Sequence, residues 1–139
     1  MSQATIANTI RGRFKDEVAD EVDGLKVLYD NHRDTDVPGT GRWVRFSVRL
    51  GETIQATFAN VGSRTFRTAG VAYAELYEPE GVGDGGQLAL ADTIIAAFRG
   101  VSLSSPQIVF DSPSVTEGTR DGPWWRRVVT IPFRADTHA

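Results

Sequence analysis

The sequence contains no cysteine, which removes disulfide frameworks, thiolate metal sites and cysteine nucleophiles together. Histidine is nearly as scarce, with only His32 and His138 present and no second histidine at ligand spacing for a catalytic zinc. No apolar run approaches the roughly 20 residues that a membrane-spanning helix requires. The beginning, "MSQATIANTIRGRFKDE", is too polar for a secretory signal. A basic excess is missing too: the net charge is -3, with arginines and acids interspersed, whereas gripping a phosphate backbone needs a clustered positive surface. These absences point to a protein made and kept in a cytoplasm, without a membrane segment and with a main task other than gripping phosphate backbones, which leaves room for a smaller basic contact.

What is present suits one globular domain. At 139 residues and 40% apolar content, the chain is long enough to bury roughly two-thirds of the surface its unfolded form exposes. The expected domain is 1–139, with 1–4 and 135–139 as flexible ends. Ile6, Ile10, Phe14, Val18 and Val22 recur every four residues with Ala7 and Ala19 beside them, the apolar stripe of a helix that ends at Asp23-Gly24. "LKVLY" (25–29) reads as a strand, and "DNHRDTDVPGTG" (30–41) as a polar loop. In "RWVRFSVRL" (42–50), Val44, Phe46, Val48 and Leu50 alternate with Arg45, Ser47 and Arg49, the period of a half-buried strand. Gly51-Glu52 reads as a turn into "TIQATFAN", making a hairpin.

A longer strand follows over 65–77, apolar on both faces towards its end, as expected of a central strand covered on both sides. A second helix directs Leu88, Ala91, Ile94, Ile95 and Phe98 inward and stops at Gly100. Strands around "QIVFD" (107–111) and "WWRRVVTIPF" (124–133) flank "SPSVTEGTRDGP" (112–123), which has no periodicity and reads as a protruding loop. The order α-β-β-β-β-α-β-β predicts an α+β fold: a mostly antiparallel sheet with two packed helices.

The segment "ELYEPEGVGDGGQLALADTIIAAF" (75–98) contains G-x-G-x-x-G at Gly81, Gly83 and Gly86, placed between a strand and a helix. About thirty residues after Gly81 the next strand ends in Asp111, roughly where a ribose-binding acid would stand. Three features oppose a dinucleotide site. Glu78, Pro79 and Glu80 separate the strand from the first glycine. Glu78, Glu80 and Asp84 surround the loop with negative charge, and no Lys or Arg occurs between Arg67 and Arg99. Consecutive strands precede the motif where a doubly wound sheet would need a crossover helix. The glycines therefore read as a connector, and no cofactor is expected.

Other constellations are weaker. "DTDVPG" (34–39) starts like a calcium loop, but Pro38 takes a ligand position and Arg45 stands where the bidentate Glu belongs. No G-x-S-x-G elbow is present. Most carboxylates fall on a solvated helix face or in loops, where nothing tunes them for general-acid work. Surface chemistry is more distinctive. Trp124 and Trp125 must point to opposite faces of their strand, and a tryptophan flanked by Arg126 and Arg127 is a composition favoured at protein interfaces. Arg42, Arg45, Arg49, Arg64 and Arg67 on neighbouring strands are expected to stripe one sheet face or edge, an arginine row of the kind that usually pairs with acids on a neighbouring surface or stays solvated.

Taken together, the N-terminal helix, "LKVLYDN", "RWVRFSV", "R-x-x-G-V-A-Y-A-E-L-Y-E-P-E-G-x-G" (67–83), "A-D-x-I-x-x-x-F" (91–98) and the closing "V-x-I-P-F" resemble the tail terminator, or tail completion, proteins of long-tailed bacteriophages. The resemblance covers nearly the whole chain. It implies a virion structural protein rather than an enzyme, present in the host cytoplasm during assembly. Such a protein forms a ring of six subunits that caps the tail tube, stops tube-protein addition and meets the head-tail connector, while DNA passes through the lumen. Six acidic subunits would repel a moving phosphate backbone rather than trap it, and heterologous contacts that close into a ring fix its size. On that reading Arg64, Arg67, Trp124, Arg126 and Arg127 are expected at subunit or partner interfaces, and Glu78, Glu80 and Asp84 in a lumen or axial-contact loop. The competing readings are another neck, tube or connector component, and a small ligand-binding or enzymatic α+β domain, which would need a pocket with converging polar groups.

Overall fold

A four-residue apolar repeat lays Ile6, Ile10, Phe14 and Val18 along one helical stripe, and all four are buried. The computed structural model describes residues 3–30, 37–38, 41–58, 60–81, 83, 85–104 and 106–138. Helix α1 (Gln3–Phe14) continues into a π-helical turn (Lys15–Ala19), and Gly24 closes the segment in a left-handed conformation, φ 73°, where a Cβ would be strained. Eight strands follow among the described residues: β1 (Lys26–Leu28), β2 (Trp43–Gln55), β3 (Thr65–Pro79), β4 (Ser102–Ser104), β5 (Gln107–Phe110), β6 (Ser114–Val115), β7 (Thr119–Asp121) and β8 (Trp124–His138). Helix α2 (Gly85–Phe98) stands between β3 and β4.

All eight join one sheet in the order β1-β2-β3-β8-β5-β4, with β6 and β7 also paired to β8. Every pairing is antiparallel except β1 with β2, which is parallel. The fold is α+β: a single domain with a mostly antiparallel sheet and two helices, as the element order implied. Both helices cover one face of it, through Val44, Phe46 and Val48 of β2, Ala72, Ala74 and Leu76 of β3, and Val129, Ile131, Phe133 and Ala135 of β8. Through this layer runs a column of rings. Phe14 stacks on Phe46 with centroids 4.1 Å apart, Phe46 faces Phe98 at 6.4 Å, Phe98 meets Phe110 edge-on at 5.1 Å, and Phe110 leans on Phe133 at 6.2 Å. Aromatic pairs at such separations add to what area burial alone supplies. Leu88, expected to point inward, is 40% exposed; Gln87 and Leu90 take the inward positions of the first turns.

Four expectations are corrected. No turn occurs at Gly51-Glu52. β2 runs on through it, and the pairing with β3 slips between Leu50 and Thr53 as a bulge. A Cβ on Gly51 would lie 2.8 Å from the Ala69 carbonyl oxygen, so this glycine permits close strand approach rather than reversal. β3 is central, but among the described residues no helix covers its second face, where Val71, Tyr73 and Glu75 are half-buried. Residues 112–123 fold back as β6 and β7 along β8 instead of protruding freely. The C-terminal residues to His138 belong to β8, with Ala135 fully buried and Asp136 held by Arg67.

Beyond the helix-covered body, the distal ends of β2 and β3 form an arm, residues 51–58 and 60–66. All the described residues of 51–58 are exposed. Three of its apolar side chains face solvent: Ile54 is 56% exposed, Phe58 92% and Val61 83%.

Candidate docking surfaces at the two ends of the sheet

Strand alternation places Trp43, Arg45, Tyr77, Glu75, Trp124 and Arg126 on the face without helices. There Trp43 and Tyr77 stack at 4.1 Å with rings within 7° of parallel, Trp124 meets Trp43 edge-on at 5.9 Å, and Leu28 fills in beneath. The Arg45 guanidinium lies 5.7 Å above the Trp43 ring. Arg126 donates to Glu75 at 3.0 Å and to the Tyr77 hydroxyl at 3.3 Å, while that hydroxyl donates to Glu75 at 3.1 Å. Burial, helped by the Glu75 charge, raises the Tyr77 phenol above its ordinary value, so it stays a neutral donor. Burial alone would lower the Arg126 guanidinium, but its bonds to Tyr77 and Glu75 outweigh that and raise it. Glu75 offsets Arg126, and Arg45 lies over the Trp43 ring, which leaves an aromatic surface with one surplus positive charge rather than a reactive centre.

On the helix side, the corner under the start of α2 is tied by Gln87, which is fully buried. Its amide donates to the carbonyls of Leu76 at 3.0 Å and Trp125 at 2.9 Å, and its oxygen accepts from Arg127 at 3.3 Å. Arg127 also donates to the Thr116 carbonyl at 2.9 Å, which pins the 112–123 segment. Arg42 pairs with Glu78 beside it. The glycine pattern now has a physical cause. Gly81 and Gly83 have φ of 91° and 80°, a region L side chains rarely adopt. Gly86 lets the Arg42 guanidinium pass where a Cβ would stand. An arginine stacked against the third glycine serves chain packing, with Glu78 as its counter-ion. Next to this corner opens an apolar cavity of about 430 Å³, lined by Pro79, Glu80, Gly81, Gly83 and Trp125, with the Glu80–Arg120 ion pair nearby.

The residues singled out in the sequence scatter accordingly. Trp124 and Arg126 meet in the aromatic cluster. Arg67 lies at the far end of the sheet in a bidentate pair with Asp136, at 2.8 and 3.0 Å, and Arg64 sits over the Phe66 ring at 5.7 Å. Arg127 and Glu78 turn inward, 8% and 3% exposed, so their charges are spent inside the subunit; inward alternation on β8 and β3 is the reason. Glu80 remains at the surface. Asp84, like most of the 30–41 loop with its calcium-like start and His32, lies outside the described residues. The arginine row divides: Arg45, Arg49 and Arg67 face away from the helices, whereas Arg42 faces them. The arm and the Gln87 knot were not legible as sites, although Phe58 and Val61 beside Asn60 and Gly62 carry a signal: large apolar residues amid turn formers. Among the described residues, no group of three or more His, Asp or Glu is placed to hold a metal ion, and no helix is long and apolar enough to cross a membrane.

A solved structure matches along 100% of this chain and 99% of its own, with a TM-score of 0.69 at 19% identity, a likeness of fold. Comparison with the curated proteins finds no match. The family model described as phage tail terminator protein matches residues 5–133, and it spans both helices, the sheet centre and the two surfaces described above. A phage tail structural role and a place in the virion go with that match, and the chain belongs to the phage tail terminator protein family.

Proposed function

We propose that the protein forms a ring, of six subunits, that caps the tail tube, stops its polymerisation and offers its other side to the head-tail connector, with DNA passing through the lumen. The observation that carries this reading is the match to the tail terminator family over residues 5–133. The surfaces support it: apolar side chains of the arm and an apolar cavity are exposed, a composition for docking to protein rather than for turning over a substrate. Action is by interface occupancy, one ring face matching the growing tube end and the other rejecting a further tube ring. Its partners are further copies of itself, the tail tube protein and the connector protein, and the function is structural rather than enzymatic.

Imaging of tails assembled without this protein tests the reading. Overlong tubes that fail to join heads are expected. Tails of normal length that still join heads would overturn it in favour of another neck or tail component.

A further inference from the structure

The outer surfaces of the two layers keep unpaired charge of opposite sign. On the sheet face without helices, register sets Arg45 beside Glu75, Ser47 beside Tyr73 and Arg49 beside Val71. Three other arginines of this face are already paired: Arg126 with Glu75, Arg67 with Asp136 and Arg134 with Asp111. Arg45 lies over the Trp43 ring, and among the described residues neither it nor Arg49 has a carboxylate within ion-pair distance. Asp30 feels the Arg49 charge, but its carboxylate is bonded to Arg11 and to the Val48 amide. Two positive charges are thus left over. Beside Arg49 an open hollow of about 320 Å³ forms where Gly51, Ala69 and Gly70 carry little side chain.

The complement stands on the outside of the helix layer. Phe14 and Val18 turn into the core, which leaves Asp16, Glu17, Asp20 and Glu21 exposed on the π-helical turn and beyond it, followed by exposed Asp23. Lys15 offsets Asp20, and Lys26 follows Asp23 closely in the chain. Five acids against two lysines over residues 15–26 still leave three negative charges. The two surfaces lie on opposite sides of the molecule, with the helices and the sheet between them, so they cannot meet within one chain. Two copies that present them to each other make a head-to-tail contact, which closes a ring when the rotation allows. A nucleic acid on the sheet face would call for a clustered positive surface. Here two arginines flank the half-buried Val71 and Tyr73, a mixture of arginine and aromatic surface that suits protein.

We infer that the acidic turn after α1, carrying Asp16, Glu17 and Glu21, lies against Arg45 and Arg49 on the open sheet face of the adjacent copy. This rests on the ring reading above and adds the contact that builds it. Charge reversal gives the test, with negative-stain images counting rings and melting curves confirming the fold. Arg45→Glu with Arg49→Glu should assemble no rings alone, and neither should Glu17→Arg with Glu21→Arg. An equimolar mixture of the two should assemble them, because alternating copies meet first a reversed and then a native pair, each attractive. A second measurement alters less charge and decides the matter if a reversal unfolds the chain. Glu17→Cys with Arg49→Cys, in a chain without other cysteines, should give a ladder of cross-linked multimers ending at the ring's size, and either single variant should give none. Rings that survive a double reversal, a mixture of folded variants that stays monomeric, or rings that resist 17–49 cross-linking would overturn this contact and leave the capping function standing. A cross-link from position 49 to the tube protein would overturn it too. If the unaltered protein forms no ring on tubes, the ring reading falls and the contact falls with it.

Discussion

The body and the arm of the same sheet divide the phenylalanines unequally. Five of the seven, Phe14, Phe46, Phe98, Phe110 and Phe133, join the helices to three strands in one buried column, while Phe58 and Phe66 belong to the arm. The same residue type stabilises the subunit in one region and is held out to solvent in the other. Buried and exposed aromatic surface thus lie on different lengths of the same strands, and a change in one region is expected to leave the other intact.

The largest separation should come from Phe46→Ala. It empties the middle of the column, where a buried Phe lost to Ala costs about 3–5 kcal/mol, and chemical denaturation should record that loss with no change in which surfaces the residual folded protein presents. Next is Arg127→Met. It leaves the Gln87 oxygen and the Thr116 carbonyl without their donor, at about 1–3 kcal/mol for a stranded buried polar group. Protease sensitivity should rise first in residues 112–123.

Acid should act on the body with a smaller effect. Burial would raise the Asp30 carboxyl, but the bonds from the Val48 amide and Arg11 outweigh it and hold the folded-state value below the ordinary one. The stabilisation is present above the ordinary carboxylate value of about 4 and is lost as pH falls through the lower folded value. A melting-temperature series from pH 6 to 3 should therefore drop, and less steeply in Asp30→Asn. Asp136, lowered chiefly by its bond from Arg67, adds a weaker component of the same sign because the pair is partly solvated.

The smallest effect on stability should be Phe58→Asp. A surface change of this kind lies within about 0.5 kcal/mol, read by the same chemical denaturation. If it destabilised the fold as much as Phe46→Ala, the division between body and arm would be wrong.

What could be read beforehand follows from the same division. Where a side chain's neighbours are set by local periodicity, the reading held: the stripe of α1, the alternation of β2 from Trp43 to Leu50, and the inward placement of Ile94 and Phe98. Local patterns failed where a distant strand decides. Gly51 looks like a turn residue until Ala69 is seen against it. The short pairings of β6 and β7 have too few residues for any period to show. Arg127 is buried beside Gln87, which lies 40 residues away in sequence, a contact that no local pattern carries. The glycine motif owes its third position to the Arg42 guanidinium against Gly86, a tertiary contact that no spacing reveals.

The pairing of β3 with β8 also sets an order in time. Residues 65–79 find their partners in 124–138, so the centre of the sheet closes only after a long stretch of intervening chain has been synthesised and brought back, a slow kind of step in folding. Until then β3 has an open side, and the Trp125 wall of the cavity is not in place. A subunit whose β8 has not yet docked thus leaves one edge of β3 unpaired, and the stack of Trp43, Tyr77 and Trp124 is complete only once that strand arrives.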